Sequence, residues 1–185
     1  VSTVATKDLL FIDPEADVVE SAKVMTSKGV GSLLVGDGVK VTGIVTERDI
    51  IKALRVGKDI MAKDIMNADP LTCVKDESLS EVVELMKERW TRHAIVVEDG
   101  SVIGVISVRD IARALAAKRD LRKTRVDEFM SLKVIYARPD DSLENVREIM
   151  AINNIGVVPI VDPAKGLVGS IGERDMLAAI VVNSF

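Results

Sequence analysis

A seven-residue motif that occurs three times constrains this chain more than any other feature. It occupies residues 43–49, 104–110 and 169–175. Each copy begins with Gly, has Val or Ile at its third position and ends with Arg-Asp. The apolar stretch before it predicts a buried strand, and the polar residues predict the start of a helix. The fourth position carries a hydroxyl in two copies, Thr46 and Ser107, whereas the third copy has Gly172.

The same order of elements precedes each motif. In the first copy, an apolar run at 9–12 is followed by a helix start at Asp17, then by two strands around the turn 36–38. With the helix that follows the motif, the unit is β-α-β-β-α. The helix starts predicted at Asp17, Ser78 and Ser142 lie 26, 26 and 27 residues before the motif glycines. Three copies in such close register indicate tandem structural repeats.

We therefore predict an α/β (α+β) fold of three tandem β-α-β-β-α repeats. They cover residues 1–57 (repeat 1), 64–118 (repeat 2) and 126–185 (repeat 3). A unit of about 60 residues buries only about 60% of its unfolded surface, so the repeats must pack on one another. We expect repeats 1 and 2 to pair, which leaves repeat 3 without a partner in its own chain and predicts a homodimer.

Composition narrows the classes of function. One Cys and one His cannot form a typical structural zinc site, and no metal site is predicted. A net charge of −4 and 3% aromatic residues argue against nucleic-acid binding. No apolar run approaches the ~20 residues of a membrane span, and no signal peptide opens the sequence. A single cysteine suits the reducing cytoplasm, which is the expected location.

The motif has two interpretations. A hydroxyl followed three residues later by an acid is a helix-capping arrangement. However, an Arg in the first turn opposes the helix dipole unless it faces an anion. Free N–H groups at a helix N-terminus suit a phosphate, and the Asp carboxylate could accept bonds from both hydroxyls of a ribose. Three matched copies favour ligand binding in at least one of them.

The repeats resemble the cystathionine-β-synthase (CBS) domain, which has Gly, two apolar residues, Ser or Thr, any residue and Arg-Asp at its last strand–helix junction. The resemblance covers the whole chain and is closest in repeat 2, which also has Asp64-Ile65-Met66 and Arg92-His93. It implies repeats that pair about pseudo-twofold axes as a Bateman module. It also implies an adenosine ligand, namely AMP, ADP, ATP, S-adenosylmethionine or, less often, NADH.

The resemblance also implies site residues. Thr46 and Ser107 match the family's hydroxyl, Asp49 and Asp110 its ribose-binding carboxylate, and Arg48 and Arg109 could reach phosphate. In repeat 3, Arg174 and Asp175 are kept but Gly172 replaces the hydroxyl. The backbone segments that would hold the adenine contain Leu71, Thr72, His93 and Ala94 in repeat 2, and Leu10, Phe11, Ser32 and Leu33 in repeat 1.

Other notable residues have plain interpretations. His93 is expected to be structural or to line the ligand, Cys73 to lie in the core, and Trp90 to cover the end of a helix. The basic connector 118–125 is expected to extend a helix into solvent. The resulting hypothesis is a non-enzymatic sensor of adenosine nucleotides that acts on a separate effector protein. An interaction scaffold with vestigial clefts is the alternative; an enzyme is disfavoured because no catalytic constellation or P-loop is evident.

Overall fold

The fold is mixed α/β, with seven helices and three small sheets in the part of the chain described by a computed structural model, residues 3, 5–56 and 60–183. The helices are α1 Val18–Lys28, α2 Glu47–Ala53, α3 Ala62–Ile65, α4 Leu79–Glu88, α5 Val108–Ala116, α6 Leu143–Asn153 and α7 Glu173–Val182. The strands are β1 Phe11–Ile12, β2 Ser32–Gly36, β3 Val41–Thr46, β4 Thr72–Cys73, β5 His93–Glu98, β6 Ser101–Ser107, β7 Val157–Asp162 and β8 Gly166–Gly172. No described helix is long and apolar enough to cross a membrane.

Repeats 1 and 2 have the predicted element order. β1 runs parallel to β2, which pairs antiparallel with β3, and β4, β5 and β6 repeat this arrangement. The predicted helix starts are also confirmed, because the side chains of Asp17, Ser78 and Ser142 each accept a bond from the backbone N–H three residues later. The α/β (α+β) class with tandem repeats is therefore confirmed.

Repeat 3 departs from the prediction at its first strand. A strand was expected at 134–137, but only Ala137 pairs, in a single parallel bridge to Ile160. Pro159 occupies the position of Ile95, whose N–H donates to the Leu71 carbonyl at 2.8 Å in repeat 2. Proline has no N–H, so the matching bond cannot form and the strand shrinks to one bridge.

The chain divides into two compact units. The first contains Val1–Ile60, Ser142–Ile155 and Gly172–Phe185, and the second contains Met61–Asp141 and Gly156–Ile171. The sheet of repeat 1 therefore lies in the first unit with the helices of repeat 3. All of repeat 2 lies in the second unit with the strands of repeat 3.

In the first unit, helices of repeats 1 and 3 pack together. α7 contacts α1 and α2, and α6 contacts α2. The core joins both repeats and consists of Ile12, Ala22, Met25, Leu33, Ile50 and Leu177. Arg147 on α6 reaches across this contact, with Nη1 donating to the Ile51 carbonyl at 2.9 Å. The prediction that repeat 3 lacks a partner in its own chain is therefore wrong.

In the second unit, repeats 2 and 3 exchange their N-terminal segments. Asn67, before β4, forms an antiparallel bridge with Ser170 on β8, and Ser131, before α6, forms one with Val105 on β6. The four backbone hydrogen bonds measure 2.8–3.1 Å. Asn67 corresponds to Ser131 and Val105 to Ser170, so the contact is reciprocal and follows a pseudo-twofold axis.

Two smaller predictions are wrong. Trp90 does not cover a helix end; it adopts a positive φ of 50° just after α4, and its side chain is 87% exposed. The connector 118–125 does not extend a helix. α5 ends at Ala116, and Lys118, with a φ of 56°, turns the chain away. Charged side chains are spread over this turn, while Thr124 is buried beneath it.

Candidate functional site

The three motif junctions share one helix-capping geometry. In repeat 1, Asp49 Oδ2 accepts the Thr46 backbone N–H at 3.0 Å and its hydroxyl at 2.6 Å. In repeat 2, Asp110 Oδ2 accepts both groups of Ser107 at 2.7 Å. Asp110 Oδ1 also pairs with Arg113 at 2.8 Å. The capping interpretation is therefore correct, and any ribose must share these carboxylates with the cap.

The third junction differs because it has no hydroxyl. Asp175 Oδ2 accepts only the Gly172 N–H, at 2.8 Å. Burial raises the pKa of Asp175 above 3.8, and the bond from Gly172 and the charge of Arg174 only partly oppose this rise. The Asp175 carboxylate thus accepts one hydrogen bond from its cap residue, whereas Asp49 and Asp110 each accept two.

The three motif arginines have different surroundings. Arg48 Nε donates to Glu173 Oε1 at 2.7 Å, and both side chains are largely buried. Arg174 Nε lies 3.8 Å from Glu47 Oε1, and its side chain is 60% exposed. Arg109 is exposed and has no ion pair in the part of the chain that the structure describes. The charge of Arg48 is thus neutralised by Glu173 in the first unit. The charge of Arg109, in the second unit, is not neutralised by any described residue.

A small cleft in the second unit joins repeats 2 and 3. Its volume is about 60 Å³. The lining residues are Asn67, Asp69, Pro70, Leu71, Arg89, Thr91, His93, Ile95, Val157 and Ser170. Part of its wall is held together by Arg89, whose Nη2 donates to the carbonyl and to Oδ2 of Asp69 at 3.0 and 2.6 Å. The cleft offers apolar surface with several polar groups, a combination typical of small-molecule sites.

The cleft contains two of the predicted adenine-segment residues. Leu71 and His93 line it, Thr72 is exposed, and Ala94 is fully buried in the core, so its methyl group cannot face a ligand. Ser107 and Asp110 are not among its lining residues. The residues that complete it come from repeat 3 instead.

The predicted segments of repeat 1 lie in the first unit. Leu10 and Phe11 are half-buried, Ser32 is exposed, and Leu33 is a core residue that is 1% exposed. Their assignment to a ligand, like that of Thr46 and Asp49, stays a prediction. A second cavity of about 100 Å³ in this unit lies among α1, α2 and α7 and contacts Glu47 and Arg174.

Sequence reasoning missed eight of the ten cleft residues, among them Asn67 and the two residues of repeat 3, Val157 and Ser170. A signal for Asn67 does exist in the sequence. The pairs Met66-Asn67 and Met130-Ser131 both lie 12 and 11 residues before a helix cap, so they are equivalent segments outside the recognised motif. Their equivalence indicates a shared role, but only the structure shows that each crosses to the other repeat.

His93 and Cys73 have the plain roles expected of them. His93 lines the cleft and pairs in register with Ser107 across β5 and β6. Cys73 is 3% exposed in the core of repeat 2. Burial, with a smaller contribution from Glu77, raises the pKa of its thiol to about 12. Among the described residues, no group of three or more His, Cys, Asp or Glu side chains could hold a metal ion.

Comparison with protein families gives three matches to one family. The profile of the CBS domain matches residues 1–56, 62–117 and 126–182. The uncharacterised protein MJ1225 of Methanocaldococcus jannaschii is 28% identical over 185 residues, which is 92% of this chain and 66% of that protein. A 17.7 kDa protein of Acidianus ambivalens is 35% identical over 62% of this chain and 72% of its own length.

Two solved structures extend these similarities. The crystal structure of MJ1225, described as a candidate archaeal homologue of γ-AMPK, superposes with a TM-score of 0.82 over 92% of this chain and 66% of that one. The CBS domain pair of protein MJ0100 was solved with 5′-methylthioadenosine and S-adenosyl-L-methionine. It is 30% identical, with a TM-score of 0.57, over 63% of this chain and 91% of that one. This chain thus spans about two thirds of MJ1225.

Proposed function

Because the chain belongs to the CBS-domain family, we propose that it is a non-enzymatic regulatory protein that binds an adenosine-containing ligand between repeats 2 and 3. The cleft between these repeats is the observation that carries the proposal. Leu71 and His93, which the family resemblance assigns to the adenine segments, both line it. A related CBS pair, that of MJ0100, holds two adenosine compounds.

The chemistry of the cleft suits a nucleoside. Leu71, Ile95 and Val157 provide apolar surface for a purine ring, and Asn67, Thr91 and Ser170 provide hydrogen-bonding groups. The volume of about 60 Å³ is below the about 300–1,000 Å³ of ordinary ligand pockets, so the cleft must widen when it binds. Binding would therefore change the contact between repeats 2 and 3. A ligand that binds the widened form better shifts the population toward that form, which is how it could regulate the protein.

The pseudo-twofold relation predicts an equivalent cleft on the opposite side of the contact. Its wall would contain Ile135 and Ser131 in place of Leu71 and Asn67, and Val105 in place of Ser170. Val105 lies two residues before the junction at 107–110. We propose that the ribose binds Asp110 and the phosphate binds Arg109 at this cleft, because Arg109 is exposed at the start of α5 and has no ion pair among the described residues.

The ligand class is proposed as AMP, ADP, ATP or S-adenosylmethionine. A ligand with phosphate groups would use Arg109, whereas a thioether nucleoside would use mainly the apolar wall.

The regulated effector is proposed to be a separate protein that recognises the altered contact between repeats 2 and 3. A homodimeric assembly is part of the same proposal.

A thermal-shift panel with AMP, ADP, ATP, S-adenosylmethionine, 5′-methylthioadenosine and NADH tests the proposal. A ligand present at 100 times its dissociation constant stabilises the folded state by about 2.7 kcal/mol. Asp110→Ala should reduce the part of the shift that comes from the equivalent cleft, to which Asp110 is assigned. Ser78→Ala is the matched control, since it removes a helix cap in the same repeat outside the cleft. A chain that no ligand stabilises would contradict the proposal.

An interaction scaffold with vestigial clefts is the second candidate. The small volume of the cleft and the ion pair between Arg89 and Asp69 in its wall favour it. The same panel separates the two functions, because a scaffold would unfold at one temperature whatever nucleotide is present.

A further inference from the structure

The exposed edge of the repeat 1 sheet has the same backbone geometry as two edges that are occupied elsewhere in this chain. The Leu34 N–H donates to the Leu10 carbonyl at 2.9 Å, so Leu34 is bonded on its β1 side. Leu34 faces Ile44 in the antiparallel register of β2 and β3. Because the Leu34 N–H points to β1, Leu34 and Ile44 form a non-hydrogen-bonded pair. In a pair of this kind the N–H and C=O groups of both residues point away from each other. Ile44 therefore directs both backbone groups outward.

Repeat 2 shows what such an edge can bind. The Ile95 N–H donates to the Leu71 carbonyl at 2.8 Å, and Ile95 faces Val105. Val105 in turn exchanges two backbone hydrogen bonds with Ser131, at 2.9 and 3.1 Å. Ser170 does the same with Asn67, at 2.8 and 2.9 Å. Each edge is thus extended by the N-terminal segment of the other repeat, at the residue that lies 11 positions before that repeat's helix cap.

The glycine at the start of each motif lies beside the incoming segment. A Cβ atom added at Gly104 would lie 2.7 Å from Met130 Sδ, and one at Gly169 would lie 2.8 Å from Met66 Sδ. At Gly43 an added Cβ would meet only Val35, at 3.8 Å. The same notch is therefore present in repeat 1, with no segment against it in the described chain.

The exposed apolar side chains at this edge are a second indication that another segment binds there. Ile44 is 60% exposed and Val41 is 51% exposed on a strand at the edge of its sheet. Exposed, apolar edge strands tend to pair with further strands, and proteins usually protect them with charge or by covering them.

Repeat 1 also carries the complementary segment. Thr6 lies 11 residues before the helix cap Asp17, as Asn67 and Ser131 do before Ser78 and Ser142. All three are small polar residues, and Ala5 takes the place of the methionines. Ala5 and Thr6 are exposed. Repeat 1 thus presents both halves of a reciprocal contact, which makes the surface self-complementary.

We propose that two copies of this chain associate through repeat 1, with the segment around Thr6 of each copy bridging Ile44 of the other. The contact repeats, about a true twofold axis, the arrangement that joins repeats 2 and 3 about a pseudo-twofold axis. It places the dimer interface on repeat 1 rather than on repeat 3. The interface does not depend on whether a nucleotide binds.

Sedimentation velocity of the whole chain over a range of concentrations tests the interface. The wild type should sediment as a dimer. Ile44→Lys should give a monomer with an unchanged circular dichroism spectrum, because it places a charge on an already exposed edge. Ile152→Lys is the matched control, since Ile152 is 80% exposed on α6, and it should stay dimeric. A monomeric wild type, or a dimer that withstands Ile44→Lys, would overturn the proposal.

A cysteine cross-link provides an independent measurement. Antiparallel partners that share two hydrogen bonds have Cα atoms about 5.5 Å apart, a distance that a disulfide can span. Oxidation of the double variant Thr6→Cys/Ile44→Cys should therefore give a covalent dimer. The control Thr6→Cys/Ile152→Cys should stay monomeric on a denaturing gel. Equal cross-linking of the two variants would overturn the proposed register.

Discussion

Arg48 and Glu173 form a largely buried ion pair that joins the motifs of two different repeats, with 2.7 Å between Arg48 Nε and Glu173 Oε1. Arg48→Ala leaves a carboxylate that is 8% exposed without this partner, so we expect it to lower the free energy of unfolding by about 1–3 kcal/mol. Arg174→Ala is the symmetric control. Its guanidinium is exposed and 3.8 Å from Glu47, so the loss should stay within about 0.5 kcal/mol. Urea unfolding compares the two, and equal losses would contradict the asymmetry.

Gly104 and Gly43 are equivalent by sequence but differ in their surroundings. Gly104→Ala would place a methyl group 2.7 Å from Met130 Sδ and 3.1 Å from the Ser131 carbonyl. We expect a loss of about 1–3 kcal/mol in unfolding free energy, because the exchanged segment must shift. Gly43→Ala should change it by no more than about 0.5 kcal/mol. Thermal or urea denaturation measures both, and a neutral Gly104→Ala would argue against the exchange of segments between repeats 2 and 3.

Asp175 should make stability depend on pH in an unusual direction. Burial raises the pKa of its carboxyl above 3.8, so the folded chain binds this proton more tightly than the unfolded chain does. Its contribution to stability is therefore present at low pH and is lost as pH rises through the raised pKa. Asp175→Asn removes the titration. As the pH rises above 3.8, the free energy of unfolding of the variant should therefore increase relative to that of the wild type. Urea unfolding at several pH values measures this difference.

A hydroxyl at position 172 should reverse part of this effect. Gly172 has a φ of −97°, which any L-residue can adopt, so Gly172→Ser is compatible with the backbone. The added hydroxyl can donate to Asp175 as Ser107 donates to Asp110. The pKa of Asp175 should fall, which a carboxyl-resolved NMR titration measures. An unchanged titration would show that burial alone sets this pKa.

Cys73 should be unreactive in the folded protein. Its thiol is buried and has a pKa of about 12, so almost no thiolate exists at pH 8. We expect iodoacetamide to label Cys73 only under denaturing conditions, with a rate that follows unfolding. Fast labelling of the native chain, followed by mass spectrometry, would contradict the burial of β4.

Local patterns in the sequence predicted the repeat architecture, because caps, turns and strand–helix junctions depend on neighbouring residues. Asp17 and Ser78 cap the helices that follow them, as expected. The partners of the repeats could not be predicted in this way. Asn67 pairs with Ser170, about 100 positions away along the chain, and Ser131 pairs with Val105, 26 positions away. Neither Asn67 nor Ser131 has a distinctive side chain. Sequence alone also could not show that Arg48 pairs with Glu173, since that contact requires α2 and α7 to meet.

Isothermal titration calorimetry of adenosine ligands tests the central claim most directly. The wild type should bind at least one of AMP, ADP, ATP and S-adenosylmethionine. Val157→Trp fills the cleft and should weaken that binding at least tenfold, while Ile152→Trp, at a site that is 80% exposed on α6, should leave it unchanged. Circular dichroism confirms that both variants are folded. No heat with any of these ligands would contradict a nucleotide site between repeats 2 and 3, and wild-type affinity in Val157→Trp would contradict binding in the cleft that Leu71, His93 and Val157 line.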